Sequence, residues 1–288
     1  MMALDPLLAP VISILILTRN EERNIAGCIS TVNWSDDIHV LDSHSTDSTV
    51  EVARRLGAQM HFREFDSFSF QQNWALQNIP FKYPWVFYLD ADERVTPELA
   101  EAMRRAAAEP GDAVAFLIQR RDFFLGVWLK HVQVTSLYPR LFKPQAMRYE
   151  RVGHPLSVIQ GQVSQVSGYL DHFPFSKGVE EWIAKHNYYS TMEAMDILAG
   201  HTPPSQTSLR KALMARDFTE RRRNQKQLFY RLPFRPMTKF LAVYFLKRGF
   251  LDGQAGFTYS VLIAFYEYMI VLKTRELERK AAERQGGA

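Results

Sequence analysis

Three acids crowd the stretch WVFYLDADERV, residues 85–95: Asp90, Asp92 and Glu93 follow five apolar or aromatic residues without a break. Like charges so close repel one another, and burial raises the cost of keeping them ionised. In locally extended chain, Asp90 and Asp92 project to the same side and converge on one point. A cation placed there turns the repulsion into a binding site. Hard carboxylate ligands with open positions suit Mg²⁺ or Mn²⁺, which in turn bridge diphosphate oxygens. Acids at this position also favour a following helix start through its dipole, and Glu93 is read in that supporting or helix-start role.

Two further polar clusters end apolar runs in the same way. Thr18, Arg19, Asn20 and Glu21 follow ISILIL, and Asp42 and Ser43 follow IHVL. In open parallel sheets, ligands bind at the carboxyl ends of the strands, so all three clusters fall on the functional edge. The chain has no G-x-G-x-x-G after the first strand, which argues against a dinucleotide oxidoreductase, and no G-x-x-x-x-G-K-[ST]. A nucleotide must be held another way.

The elements that position these clusters follow from hydrophobic spacing. VISILILT from Val11 reads as a strand buried on both faces, and RNEERNIAGCISTV reads as a helix through Ile25, Cys28, Ile29 and Val32. A second strand (DIHVLDS), a second helix with Ser/Thr/Asp start signals, a short strand (QMHF) and the helix SFQQNWALQNI follow. After the acidic strand, Thr96 and Pro97 mark the N-cap and first position of another helix. Strand and helix in alternation predict crossover units and a mostly parallel sheet, a doubly wound half over residues 11–110.

Beyond Pro110-Gly111 the rhythm widens. DAVAFLIQRRDFF and SLYPRLFKP read as strands, HPLSVIQGQVSQVSGYLDHF as short antiparallel pieces, and Ser176 to about Leu198 as a long helix with Val179, Trp182, Ile183 and His186 along one face. AGHTPPSQTS is the clearest linker. The expected organisation is a catalytic domain over 1–200, with its second half at 111–200, and a helical extension over 201–288.

Charge separates the same two parts. Residues 205–288 carry 17 Lys/Arg against 7 Asp/Glu, a net +10 that leaves the front of the chain at −6. The single cysteine, Cys28, rules out an internal disulfide framework, is read as a small buried hydrophobe, and makes a cytoplasmic setting the expectation. The opening MMALDPLLAP lacks the basic start of a signal peptide. FTYSVLIAFYEYMIVLK from Phe257 is interrupted by Glu267, falls short of a comfortable spanning helix and is read as buried or interfacial.

The stretches ILILTRNEERNIAGCI, IHVLDSHSTDSTVEVARRLGA, FSFQQNWAL and WVFYLDADERVTPEL resemble the nucleotide-sugar-binding half of family-2 inverting glycosyltransferases of the GT-A fold. The helix SKGVEEWIAKHNYYSTMEA and the tail FLKRGFLDGQAGFTYSVLIAFYEYM are similar to the bacterial branch that includes lipopolysaccharide-core glucosyltransferases, so the likeness covers roughly residues 11–272. It implies a GT-A α/β domain with a C-terminal helical extension. It further implies a nucleoside pocket lined by Thr18, Asn20 and Glu21, with Asp42 reading base or ribose and Gln72 and Asn73 near the nucleotide. Asp90, Ala91 and Asp92 would hold the metal–diphosphate, with Asp90, Asp92 and His172 as ligands to Mg²⁺ or Mn²⁺.

One departure stands out. Where the family carries V-H-E, with Glu a natural base for the acceptor hydroxyl, this chain has Gly153-His154-Pro155, which leaves His154 and Glu150 as the nearest candidates. The implied activity is metal-dependent inverting transfer of a hexose or heptose from a nucleotide-diphosphate sugar, UDP-linked by expectation, to a glycan or glycolipid hydroxyl in cell-envelope biosynthesis. Transfer to a polyprenyl phosphate, and a non-catalytic nucleotide-sugar-binding scaffold, are the alternatives. The basic, aromatic tail suits an anionic inner-membrane surface, giving a cytoplasmic protein peripheral to that membrane, and no nucleic-acid motif accompanies it.

Overall fold

A computed structural model describes residues 12–133, 137–150, 156–198, 229, 230, 232 and 234–286. These residues form two compact units: the first runs through Phe123 and resumes from 137 to Ser176, and the second takes 124–133 and the chain from Lys177 onward.

In the first unit the alternation expected from sequence is present. β1 (Ile12–Thr18), α1 (Ile25–Ser30), β2 (Ile38–Asp42), α2 (Thr49–Arg55), β3 (Gln59–Phe62), α3 (Phe68–Asn78), β4 (Trp85–Asp90), β5 (Glu93–Val95), α4 (Pro97–Ala108) and β6 (Ala113–Phe124) follow in order. β7 (Val127–Trp128) falls in the second unit, after which β8 (Leu137–Phe142), β9 (Met147–Glu150), β10 (Leu156–Ile159) and β11 (Gln162–His172) return to the first. The main sheet runs β3-β2-β1-β4-β8-β6-β11-β5. β1, β2, β3 and β4 pair in parallel, and β8 is antiparallel to both β4 and β6. The result is a mostly parallel sheet flanked by helices.

The strands form where the apolar runs predict them because β1, β2 and β4 are buried on both faces, where only continuous apolar sequence is tolerated. Ile14, Ile16, Phe87 and Leu89 pack on one side with Ile25, Cys28, Leu99 and Met103 from α1 and α4. Cys28 is fully buried, and that burial raises its thiol well above the ordinary range. The α4 start is as its sequence requires: Thr96 accepts the Leu99 N–H on its side chain, with Pro97 opening the helix.

Two elements differ from the sequence reading. The stretch expected as short antiparallel pieces includes β11, an 11-residue strand parallel to β6 and antiparallel to β5. A register shift between Gln165 and Tyr169 lets it bend, and Gly168 supplies the left-handed backbone there, φ 106°. Among the described residues, β9 and β10 form a separate two-stranded antiparallel sheet.

In the second unit, α5 (Val179–Leu198) buries Trp182, Ser190 and Ala194, while Val179 and Ile183 of the expected face are exposed. The buried stripe is an i, i+4 ladder rotated from the expected one, and it packs with the C-terminal helix. That part comprises α6 (Arg235–Leu241), a π-helical turn Ala242–Leu246, a 3₁₀ turn Gly249–Asp252 and α7 (Gly253–Gly286). The segment Gly249–Glu283 is, by length and composition, long and apolar enough to cross a membrane, which corrects the expectation that it falls short. The linker at 199–208 lies outside the described residues.

Candidate functional site

Sheet register assembles the site. Leu17 of β1 lies beside Asp90 of β4, and Thr18 beside Asp42 of β2, so the first three polar clusters meet at one sheet edge. On the far side of the sheet, His172 pairs with Glu93 of β5 and with Asp122 of β6, which lines up Glu93, His172 and Asp122 across three strands.

The loops after β1 and β2 are laced together. Asn20, in the left-handed conformation at φ 56°, donates its N–H to Ser45 Oγ at 2.8 Å and accepts the Thr46 N–H on Oδ1 at 2.8 Å. The Glu21 N–H reaches Thr49 Oγ1 at 2.7 Å, while its carboxylate accepts from Asn24. Thus the Ser/Thr/Asp run read as a helix start serves the neighbouring loop, and Ser48 makes no side-chain cap bond. Asp42 is fully buried and accepts from Thr18 Oγ1 at 2.7 Å, the Ser45 N–H at 2.7 Å and Ser45 Oγ at 2.6 Å. Its carboxylate fixes the shape of this edge.

α3 contributes differently from the sequence reading. Gln72 is buried with no hydrogen-bond partner for Oε1, and both amide atoms of Asn73 pair with the Tyr149 backbone, pinning β9 to α3. The preceding Gln71 is the residue that reaches the strand edge, donating to Ser43 Oγ at 2.8 Å and accepting from Arg63. Glu150, at the end of β9, is exposed and ion-paired with Arg148 at 2.8 Å. His154 lies outside the described residues.

The acidic turn separates into three roles. Glu93 folds inward: it is fully buried, accepts the Asp90 N–H on Oε2, and accepts from Arg140 at 2.8 Å on Oε1. It lies in β5 and not at the helix start, so only the supporting half of its expected role applies. Burial raises the Glu93 carboxyl despite the opposing charge of Arg140. Asp90 accepts from Tyr88 Oη at 2.5 Å and from Arg140 at 2.8 Å. Burial works against its ionised form, but Arg140 and the Tyr88 hydroxyl override it and hold the carboxyl well below the usual range.

Asp92 faces His172, with Oδ2 3.3 Å from Nε2, and His172 Nδ1 is held by the buried Asp122. Burial alone would lower the imidazole, yet Asp92 and Asp122 carry it up to about 9. Behind the turn, Arg94 donates to the carbonyls of Ala91, Glu93 and Asn24, and Gly27 makes room for it, since a Cβ there would stand 2.7 Å from Arg94 Nε. Ala91 is buried between the two aspartates.

The donor set fits a divalent cation at Asp92 and His172. Adjacent octahedral ligands at about 2.1 Å from an ion stand roughly 3 Å apart, close to the observed separation. A carboxylate on the remote imidazole nitrogen is the usual support for a ligating histidine. Two protein ligands leave positions for water and phosphate oxygens. Among the described residues, no group of three or more His, Cys, Asp or Glu side chains is arranged around one ion, because Asp90 is engaged by Arg140 and Tyr88.

Asp122 and Arg140 are site residues that the sequence reading missed. Each is a charged residue interrupting an apolar strand pattern, RRDFF and YPRLF, and that interruption is the signal available in sequence.

The family model described as Glycosyl transferase family 2 matches residues 13–161, just over half of the chain. An uncharacterized glycosyltransferase of Rickettsia typhi is 26% identical over 284 residues, covering 94% of this chain and 88% of the relative. The lipopolysaccharide core biosynthesis glycosyltransferase LpsC of Rhizobium meliloti is 26% identical over 273 residues, covering 91% of each. Among solved structures, glucosyl-3-phosphoglycerate synthase from Mycobacterium tuberculosis, in complex with Mn²⁺, UDP and glucosyl-3-phosphoglycerate, is similar at 18% identity and a TM-score of 0.37, over 48% of this chain and 58% of that one.

Proposed function

The chain belongs to glycosyl transferase family 2, and from that premise we propose that it moves a hexose or heptose from a UDP-sugar to a glycan or glycolipid hydroxyl with inversion, in the synthesis of a bacterial lipopolysaccharide core or a similar envelope glycan. The observation that carries this reading is the Asp92–His172–Asp122 alignment, in the same sheet whose β1 and β2 end at Thr18 and Asp42.

Asp92 and His172 would hold Mg²⁺ or Mn²⁺. When bound, the ion supplies Lewis-acid stabilisation of the leaving diphosphate. Asp122 keeps His172 Nδ1 occupied, so that Nε2, on the Asp92 side, would be the nitrogen available to hold the ion. Arg140 fixes Asp90 and Glu93 so that the turn holds its shape as charge changes nearby. The β1 and β2 loops, stiffened by Asn20, Ser45 and Asp42, form the wall for the nucleoside.

In the transfer the acceptor oxygen attacks the anomeric carbon as the bond to the diphosphate oxygen breaks. The acceptor proton passes to a base, for which His154 and Glu150 are the proposed residues. The LpsC likeness supports an envelope glycolipid as acceptor class.

Titration of UDP with and without Mn²⁺, followed by a donor screen reading released nucleotide, tests the proposal. Metal-dependent UDP binding with turnover on a glycan or glycolipid acceptor is expected. Turnover on polyprenyl phosphate alone would replace the acceptor, and binding without turnover on any acceptor would favour a scaffold. Absence of metal-dependent UDP binding overturns the proposal.

A further inference from the structure

The second unit presents a surface that the transfer chemistry does not use. The chain turns between α6 and α7 through Phe245-Leu246-Lys247-Arg248-Gly249-Phe250-Leu251, and both Phe-Leu pairs are exposed, Leu246 at 83% and Leu251 at 56%. Lys247 and Arg248 stand exposed between them. Exposed apolar residues continue from Phe234, just before α6, to Met237 and Leu241, an i, i+4 pair on one face of α6. A matching stripe runs down α7 at Phe257, Val261, Phe265, Tyr268 and Leu272. The rings join these parts into one patch: Phe257 meets Tyr244 at 5.6 Å, and Tyr244 meets Phe245 at 5.0 Å and Phe250 at 6.3 Å.

Charge on this patch has one sign. Residues 232–251 contain Arg235, Lys239, Lys247 and Arg248 and no Asp or Glu. Arg235 is paired with buried Glu267, and Lys247 and Arg248 lie within the aromatic turn itself. Aromatic and aliphatic tips with cations beside them match the acyl boundary and anionic head groups of a lipid surface.

The turn is also mounted rigidly. The buried Asp252 carboxylate accepts the N–H groups of His131 and Val132, both at 2.9 Å, and pairs with His131 Nδ1 at 2.6 Å. Gly249 is packed so closely that a Cβ would stand 2.4 Å from Val132 Cγ1. The opposite side of α7 is committed to the unit through Tyr259, Glu267, Ile270 and Thr274, all buried. A helix with one side packed into its unit and an apolar stripe exposed on the other can lie with that stripe at an interface.

We propose that the Phe245–Leu251 turn inserts into an anionic lipid surface, with Lys247 and Arg248 at the head groups and the α7 stripe lying along the acyl boundary. The proposal rests on the glycolipid reading only for why a membrane matters, and its test uses neither donor nor acceptor.

Full-length protein is floated with vesicles of phosphatidylethanolamine and phosphatidylglycerol at low salt, and in parallel with phosphatidylcholine alone. A Leu246→Cys variant carries an environment-sensitive fluorophore, because Cys28 is fully buried and does not compete for label. Expected are flotation with the anionic vesicles only, a blue shift at position 246, and at least about a tenfold loss of vesicle affinity in Leu246→Asp and in the Lys247→Glu/Arg248→Glu double variant. Circular dichroism melts of these exposed variants should match the parent. Absence of flotation, flotation without a shift at 246, or variants that float as the parent does overturn the proposal. So does a vesicle-free dimer that Leu246→Asp dissociates, since that assigns the face to a second copy, or preferential binding of duplex nucleic acid. Flotation without any sugar transfer would leave this inference standing and count against the transferase reading alone.

Discussion

Arg140 Nη2 lies 2.8 Å from Asp90 Oδ2, and the same nitrogen lies 2.8 Å from Glu93 Oε1. One guanidinium on β8 therefore makes it possible to bury one acid and half-expose another at the end of a core strand. Tyr88 completes the arrangement, with its hydroxyl on Asp90 and its ring 4.6 Å from the Arg140 guanidinium carbon. What reads in sequence as a working pair, Asp90 and Asp92, beside a supporting Glu93 is in the fold one structural carboxylate, one held by arginine, and one facing a histidine.

Replacing Arg140 removes the countercharge from two acids at once. Arg140→Met should cost about 3–5 kcal/mol of folding stability, the range for breaking a buried ion pair from one side. Arg140→Met/Glu93→Gln should recover a large part, because the buried charge has gone. Urea melts of the two variants check this, and equal losses would show that Arg140 acts through packing alone.

The two aspartates of the turn should separate in metal binding. Asp92→Ala and His172→Ala remove the facing pair and should abolish Mn²⁺-dependent UDP binding. Asp90→Asn keeps that pair and a hydrogen-bond acceptor for Arg140, so it should retain metal-dependent binding within about tenfold. Turnover should fall in all three. Calorimetric titration of UDP with Mn²⁺ discriminates, and loss of metal binding in Asp90→Asn as complete as in Asp92→Ala would return Asp90 to the ligand set.

Asp37 knots the base of the sheet. It is buried and accepts from Ser13 Oγ at 2.5 Å, the Lys82 N–H at 2.9 Å and Gln59 Nε2 at 3.1 Å, with His39 Nε2 at 3.0 Å. Burial alone would raise its carboxyl, but the Ser13 and Lys82 hydrogen bonds hold it below the ordinary 3.8. The folded carboxyl thus ionises more readily than the unfolded one. Its stabilisation is complete above the ordinary value and fades as pH falls through the lower folded value. Asp37→Ala should cost about 3 kcal/mol at neutral pH. The gap between parent and variant in urea midpoint should narrow as pH falls below the ordinary 3.8; a pH-independent gap would remove the carboxylate from the explanation.

The parallel core was legible because strands buried on both faces must be written as unbroken apolar runs, and β1, β2 and β4 are. The polar ends of those strands were legible for the same reason, since Thr18, Asp42 and Asp90 are where the runs stop. Contacts made across the sheet were not. Asp122 and His172 are 50 residues apart and meet only because β6 and β11 are in parallel register, a pairing that local pattern does not encode. Arg140 meets Asp90 across the antiparallel β8 in the same way. On α3, the family resemblance pointed to Gln72 and Asn73, while the fold gives the strand edge to Gln71. The α5 face was misjudged because its buried stripe contains Ser190 and Ala194, which hydrophobicity alone does not single out.

Asp122 is the residue whose role only the folded chain reveals, and it acts through His172. Its carboxylate sits on Nδ1, buried at 2% exposure, with Arg120 Nε 3.1 Å away. Asp122→Asn keeps the shape but removes the charge that makes Nε2 a stronger donor, and an amide nitrogen facing Nδ1 disfavours the working tautomer. Mn²⁺ affinity in the presence of UDP should fall about 10–100-fold. Because imidazole is a better ligand for Mn²⁺ than for Mg²⁺, the ratio of Mn²⁺ to Mg²⁺ affinity should be lower in the variant than in the parent. The test is the ratio of the two metal affinities, together with KM and kcat measured at saturating metal. A structural role alone would lower stability and leave the ratio unchanged, whereas a positioning role lowers the ratio and is rescued in kcat by raising Mn²⁺.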